Sequence, residues 1–331
     1  CSYLNTKFSS SLPAFIYCII MDWNLKIEYC MMKSGSDVMN AAIGIDGGGT
    51  KTAFVIGNET EIFCQIEKSG CSYLEIGKEA VVDLIVSGVK ELLERCPDAV
   101  CDGCCIGLPC YGENRQMDEW FKKTLCKALS PIKIQLVNDA VVGWAGSLEC
   151  KEGIHVVAGT GSLAIGKGKE DTFARAGGWN EFFGDEGSCY WIGKEAMTLF
   201  SKQADGRVQK GALYDLVKEK YHLQDDFEFI DVVLNELAPY RDQVAGFQKI
   251  ALQAARLHDK SVIHLYERAA EELTQMVFSV KQQLKWSTSE VPVSIYGGLL
   301  HAEELILDPL KQKLKLIGCT LEMPKRSAVE G

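Results

Sequence analysis

Four carboxylates and two glycine turns carry the chemistry legible in this chain. Asp46 follows an apolar run, Ala41–Ile45, and opens Asp46-Gly47-Gly48-Gly49-Thr50-Lys51 ahead of a second apolar run, Thr52–Ile56. That order predicts strand, tight turn, returning strand. The glycines are expected to take positive φ and to leave the N–H groups around Gly48 and Gly49 bare toward a ligand, which suits phosphate oxygens. A carboxylate at such a strand end can hold a hydrated Mg²⁺, and the Thr50 hydroxyl can donate to a phosphate. The run is not a Walker loop, because Thr50 separates Gly49 from Lys51. Nor is it a dinucleotide fingerprint, since a strand pattern rather than a helix follows. An ordinary glycine-rich hairpin is the bland alternative. It loses ground because the device recurs: Ile154–Gly166 repeats strand, turn (Gly159-Thr160-Gly161-Ser162) and strand. Two such hairpins imply two related half-structures facing one cleft.

The other carboxylates sit at strand ends or in one loop. Asp139 stands in Asn138-Asp139-Ala140, between a strand at 132–137 and a helix at Ala140–Leu148, near positive helix-terminal dipoles; a plain N-cap is its structural alternative. Glu113 lies in Pro109-Cys110-Tyr111-Gly112-Glu113-Asn114, at the C-terminal end of a buried strand pattern, Val100–Leu108, where open α/β sheets bind ligands. Asp185 lies in Arg175–Ile192, which combines Gly177-Gly178-Trp179, two phenylalanines and paired carboxylates. Carboxylates bind sugar hydroxyls and an aromatic face suits a pyranose; the competing reading is a helix capped by Asp185 or Ser188. Gly297-Gly298, after the strand pattern Val291–Tyr296, would let a flat ring such as adenine lie close to the backbone.

The elements that must position these groups follow from pattern and composition. A strand at Glu61–Glu67 leads to the polar loop Ser69–Tyr73. An amphipathic helix follows at Gly77–Cys96, then a helix at 116–129, and mainly helical patterns from Tyr190 to Trp286. With 331 residues, 47% hydrophobic and 24% charged, the chain has room for two soluble domains. A net charge of −10 without a basic run argues against nucleic acid and anionic membranes. The fourteen cysteines are scattered; Cys101–Cys110 offers a Cys-x-x-Cys spacing but no second pair, so apolar filling and a reducing cytosol are expected. The five histidines form no metal pair. Residues 1–40 read as an extension outside the enzyme: their apolar run Leu12–Met21 is too short for a membrane span, and Met39 is a candidate start.

Taken in order, IGIDGGGTKT (43–52), VNDA (137–140), VAGTGS (157–162), GGW (177–179), GDEGS (184–188) and the late GG (297–298) resemble the N-acetylglucosamine kinase group. That group belongs to the BadF/BadG/BcrA/BcrD ATPase family of the actin-like, sugar-kinase superfamily. The resemblance runs from about residue 41 to the end. It implies an α/β fold of two ribonuclease-H-like domains flanking a nucleotide cleft. On that reading 41–143 is the first domain; 144–331 is the second, with a helical insertion and a C-terminal truncation that would expose apolar surface. The implied reaction moves the γ-phosphoryl of ATP, with Mg²⁺, to a hydroxyl of an amino sugar. Asp46, Gly48, Gly49, Thr50 and Lys51 match the first phosphate motif; Gly159, Thr160, Gly161 and Ser162 match the second, and Gly297 and Gly298 the adenosine motif. Gly178, Trp179 and Asp185 match sugar-pocket positions, and Ser72 stands where relatives carry a sugar-contacting Asn. Where amino-sugar kinases place an aspartate base this chain reads PCYGEN, so Glu113 is favoured as base, with Asp139 beside Asp46 near metal or phosphate; Asp139 as base is the alternative. Two other readings stay open: an iron–sulfur ATPase activator of a dehydratase, which works as a dimer, and a sensor without turnover. A homodimer is therefore open for this chain too.

Overall fold

A computed structural model describes residues 39–58, 60–286 and 290–331. The extension expected at 1–40 lies outside these, apart from the last two residues, which open the first strand. Strands β1 (Met39–Gly47), β2 (Lys51–Gly57), β3 (Ile62–Ser69), β4 (Ala99–Leu108) and β5 (Lys133–Asn138) form one sheet in the order β3-β2-β1-β4-β5. The β1–β2–β3 pairs are antiparallel, while β1–β4 and β4–β5 are parallel. Burial follows the apolar patterns: Ile43, Ile45, Phe54, Ile56 and Ile106 are fully covered. Helices α1 (Lys78–Arg95) and α2 (Arg115–Ala128) lay Ile85, Val89, Leu92, Phe121 and Leu125 into this core.

The other face takes helix α3 (Asp139–Leu148). Ile106 points into the core under α1 and α2, so the next residue, Gly107, must face the opposite side. A Cβ there would fall 2.6 Å from Cγ2 of Val142 and 3.3 Å from Cα of Asp139. Gly88 plays a similar part within α1, where a Cβ would stand 2.3 Å from the ring of the fully buried Phe54.

A second unit repeats this plan. Strands β6 (Gly153–Ala158), β7 (Ser162–Lys167), β8 (Phe173–Gly177), β9 (Val291–Tyr296) and β10 (Cys319–Glu322) run in the order β10-β9-β6-β7-β8. Again an antiparallel trio joins a parallel trio at its founding strand. Helices α4 (Cys189–Ala204), α5 (Ala212–Lys220), α6 (Arg241–Arg256) and α7 (Lys260–Gln283) lie between β8 and β9, and α8 (Glu304–Leu316) between β9 and β10. Phe200, Phe229 and Phe247 meet at ring separations of 4.6 and 5.9 Å inside the helical part. Among the described residues no helix is long and apolar enough to cross a membrane.

The division between units differs from the one read at 143/144. The first unit runs to Lys151 and regains Lys325–Gly331; the second is Glu152–Pro324. The reason is packing. All of α3 rests on β1, β4 and β5, and Lys325 N donates to Ser147 O at 3.1 Å. Gly146 gives the returning segment its room, since a Cβ there would lie 2.1 Å from Ser327 O.

His155, on β6, is buried with Nδ1 2.8 Å from the Ser294 hydroxyl, and burial pushes its pKa down to about 4. An imidazole held neutral in the fold costs stability once the unfolded form gains a proton. The contribution is therefore full above pH 6.5 and is lost as pH falls toward 4, by up to about 3 kcal/mol. His155→Asn should flatten the pH dependence of the melting temperature in that window; a slope identical to wild type would refute the assignment. Gly88→Ala should lower stability by about 1–3 kcal/mol through overpacking against Phe54, read as a drop in melting temperature at neutral pH.

Candidate active site

In the first unit, register does the assembly. Asp46 pairs with Gly107 across β1 and β4, and Leu108 pairs with Asn138 across β4 and β5. The residue after Asn138 is Asp139, whose Cα stands over Gly107. Three segments far apart in sequence thus bring two half-buried carboxylates to one sheet edge. Burial first, then the Asp139 charge, push the Asp46 carboxyl up to about 7, against a smaller opposing pull from Lys51. Asn138 stands at the N-cap of α3: its Oδ1 accepts from Ala140 N at 3.1 Å, an N–H that Asp139 Oδ1 shares at 3.0 Å, and its Nδ2 donates to Tyr111 O at 3.0 Å. That last bond ties the 109–114 loop to the end of β5.

The turn between β1 and β2 corrects one expectation. None of Gly47, Gly48 and Gly49 has positive φ. Glycine is needed there because neighbouring backbone comes too close. A Cβ on Gly47 would meet Cys71 Sγ at 2.4 Å and Gly107 O at 2.6 Å, and one on Gly48 would meet Lys51 O at 2.9 Å. From the other side, a Cβ on Gly70 would fall 1.7 Å from Gly49 O, and Cys71 N donates to Gly48 O at 3.0 Å. The loop after β3 therefore clamps the turn. Gly49 and Thr50 are exposed, and Lys51 Nζ pairs with Glu67 at 2.9 Å. Ser72 is buried at the head of a one-turn helix, Tyr73–Ile76. Glu113 is exposed; its charge bears on Tyr73, whose phenol is raised by burial, then Cys110, then Glu113.

The second unit builds its own cluster. Gly159 N donates to Gly161 O at 3.0 Å, and the carbonyls of Gly159 and Thr160 accept from Cys189 N and Tyr190 N at the start of α4. Ser188 caps that helix through Trp191 N, as one alternative held. Asp185 instead turns to the hairpin: its Oδ1 accepts from Ser162 N at 3.2 Å and its Oδ2 from Arg241 Nη2 at 2.6 Å. Ser162 Oγ donates to Glu186 O at 2.7 Å. Gly297 has φ +130°, and a Cβ there would lie 2.3 Å from Ala158 O, so Gly297-Gly298 rests against the same turn. Gly178, at φ +70°, accepts at its carbonyl from Arg175 Nη2 at 2.8 Å. Beyond it Trp179, Phe182 and Phe183 are 70%, 87% and 68% exposed.

A model of the BadF/BadG/BcrA/BcrD ATPase family matches residues 43–315. The chain belongs to that family. Within the BadF/BadG/BcrA/BcrD ATPases it is 31% identical over 288 residues to an N-acetylmuramic acid/N-acetylglucosamine kinase of Clostridium acetobutylicum, covering 84% of this chain and 91% of the relative. It is 27% identical over 286 residues to an N-acetyl-D-glucosamine kinase of Dictyostelium discoideum, covering 82% and 89%. The fold resembles the crystal structure of a candidate N-acetylglucosamine kinase of Chromobacterium violaceum, with TM-score 0.70, 24% identity and coverage of 89% and 98%. These likenesses agree with an α/β chain of two ribonuclease-H-like units.

Sequence reasoning missed Gly70, Gly107, Asn138 as cap and Arg241. Gly70 had a local signal, a glycine directly after a strand; Arg241, fifty-six positions after Asp185, had none. The raised Asp46 carboxyl sets a pH test. Its ionisation is disfavoured in the fold, so its contribution is whole below pH 3.8 and is lost as pH rises through about 7. Asp46→Asn, measured without divalent cations, should therefore gain on the order of 1–3 kcal/mol at pH 8 and little at pH 4. A variant no more stable than wild type at pH 8 would overturn the raised-carboxyl reading.

Proposed function

We propose that this ATPase-family protein transfers the γ-phosphoryl group of ATP to a hydroxyl of an amino sugar of the N-acetylglucosamine type. The observation that carries the proposal is the juxtaposition of Asp46 and Asp139 beside the Gly47–Thr50 turn. Like charges drawn together under burial, at the C-terminal edge of parallel strands, suit a bound cation and phosphates. The names of the relatives supply the sugar class.

In this reading Asp46 and Asp139 hold Mg²⁺, an oxygen-donor set of the type that ion takes. When bound, the ion supplies charge neutralisation for the phosphates. The N–H groups around Gly48 and Gly49, with the Thr50 hydroxyl and Lys51, serve the phosphates. Gly159, Thr160, Gly161 and Ser162 form a second phosphate turn, and Gly297-Gly298 takes the adenosine. Gly178, the exposed Trp179 face and Asp185 orient the sugar. Phosphoryl transfer asks mainly for alignment and electrostatics, so the base has a modest task. Glu113, on the exposed loop that Asn138 ties to the end of β5, accepts the proton of the sugar hydroxyl. Cys71, Cys104 and Cys189 are buried thiols, which fits work in a reducing cytosol. Cys104 faces the apolar core with its thiol pushed well up by burial, behaviour of a packing residue rather than a cluster ligand.

A panel of amino sugars and hexoses, read by ATP-dependent ADP release, tests the activity. N-acetylglucosamine or a close derivative should be turned over, and no turnover across the panel would refute the kinase reading. Glu113→Gln should lower kcat by about a hundredfold or more with little change in sugar KM. Asp139→Asn should also raise the Mg²⁺ concentration needed for half-maximal rate. Wild-type rates in both variants would remove both roles.

A further inference from the structure

The second unit contains an ionic relay whose arginine has no part in the proposed chemistry. Arg241 is the first residue of α6, and its guanidinium reaches two carboxylates of one loop: Nη2 lies 2.6 Å from Asp185 Oδ2, and Nε 3.3 Å from Glu181 Oε2. The Asp185 side chain is only 4% exposed, and its other oxygen takes the Ser162 N–H of the glycine turn. Asp185 also holds φ +57°, a left-handed conformation that a non-glycine residue keeps only where its surroundings enforce it. Gly161 marks how tightly the relay fits. A Cβ there would meet Arg241 Nη2 at 2.7 Å and the Asp185 oxygens at 2.9 and 3.0 Å.

We propose that Arg241 is a positioning residue that fastens the acidic aromatic loop 179–186 to the Gly159–Ser162 turn, so that nucleotide grip and sugar-loop geometry depend on one guanidinium. The role rests on the kinase reading for the sugar half and on the family's ATP use for the nucleotide half. Arg suits the task because its planar fork satisfies two carboxylates at once, which a lysine amine cannot do with the same geometry. Without it, Asp185 would be a buried carboxylate lacking its cation, and the Ser162 N–H would lose a fixed acceptor.

The test measures nucleotide Kd by titration with a non-hydrolysable ATP analogue, together with sugar KM, kcat and melting temperature. Arg241→Gln should weaken nucleotide binding and raise sugar KM by roughly ten- to a hundredfold each, the loss of a charge-assisted bond of this kind. Arg241→Lys should stay severalfold weakened, and it carries the test if Arg241→Gln does not fold. In an Asp185→Asn background the Arg241→Gln effect should largely vanish, because the arginine acts through that carboxylate. Three results would overturn the proposal: wild-type Kd and KM with only a lowered melting temperature, full recovery by lysine, or effects that add in the double variant. If wild type binds nucleotide but phosphorylates no amino sugar, the kinase reading fails, and the relay is still judged on nucleotide Kd.

Discussion

Everything in the first unit's site depends on how closely α3 approaches the sheet at Gly107. A side chain there would push the helix off β4, and Asp139 would move away from the end of β1. With glycine in place, the register of β1 on β4 puts Asp46 beside that opening, and two carboxylates share a half-buried edge. Burial first, and then repulsion from Asp139, raise the Asp46 pKa to about 7, so the fold disfavours the charged carboxylate at neutral pH. A disfavoured charge at a sheet edge, beside a turn, is what singles this edge out as a candidate site.

Close approach of backbone to backbone is the second recurring device. Gly47, Gly48 and Gly70 lock the first turn to the loop after β3. Gly297 and Gly161 do comparable work around the second turn, one against Ala158 and the other against the Asp185–Arg241 pair. Only Gly297 needs a conformation that other residues avoid. The remainder are glycine because no volume is left for a side chain, which rigidifies both turns before any ligand arrives.

Much of this was legible before the structure. Apolar runs located most of the strands to within a residue or two, as Val291–Tyr296 and Ala99–Leu108 illustrate, and the repeated strand–turn–strand pattern announced two units of the same plan; β8, read as the start of a loop at Arg175, and β10, a four-residue strand, were missed. Asp46 and Asp139 stood out because each ends a strand. The purpose of the glycines was misread, since steric closeness is a three-dimensional fact and φ was the local explanation at hand. The domain border was placed inside α3 because no composition change marks Lys151, and the return of Lys325–Gly331 is a matter of packing alone. Arg241 was invisible for a similar reason: it opens an amphipathic helix whose other residues explain themselves by burial.

The chain's division has a consequence for biogenesis. Glu152–Pro324 is one uninterrupted segment, whereas the first unit draws on Lys325–Gly331 as well. On a ribosome, with domains folding as units in order of synthesis, the later segment can fold while the earlier one still lacks the contacts of Lys325–Gly331. The amino-terminal half of the sequence would then be the last to mature.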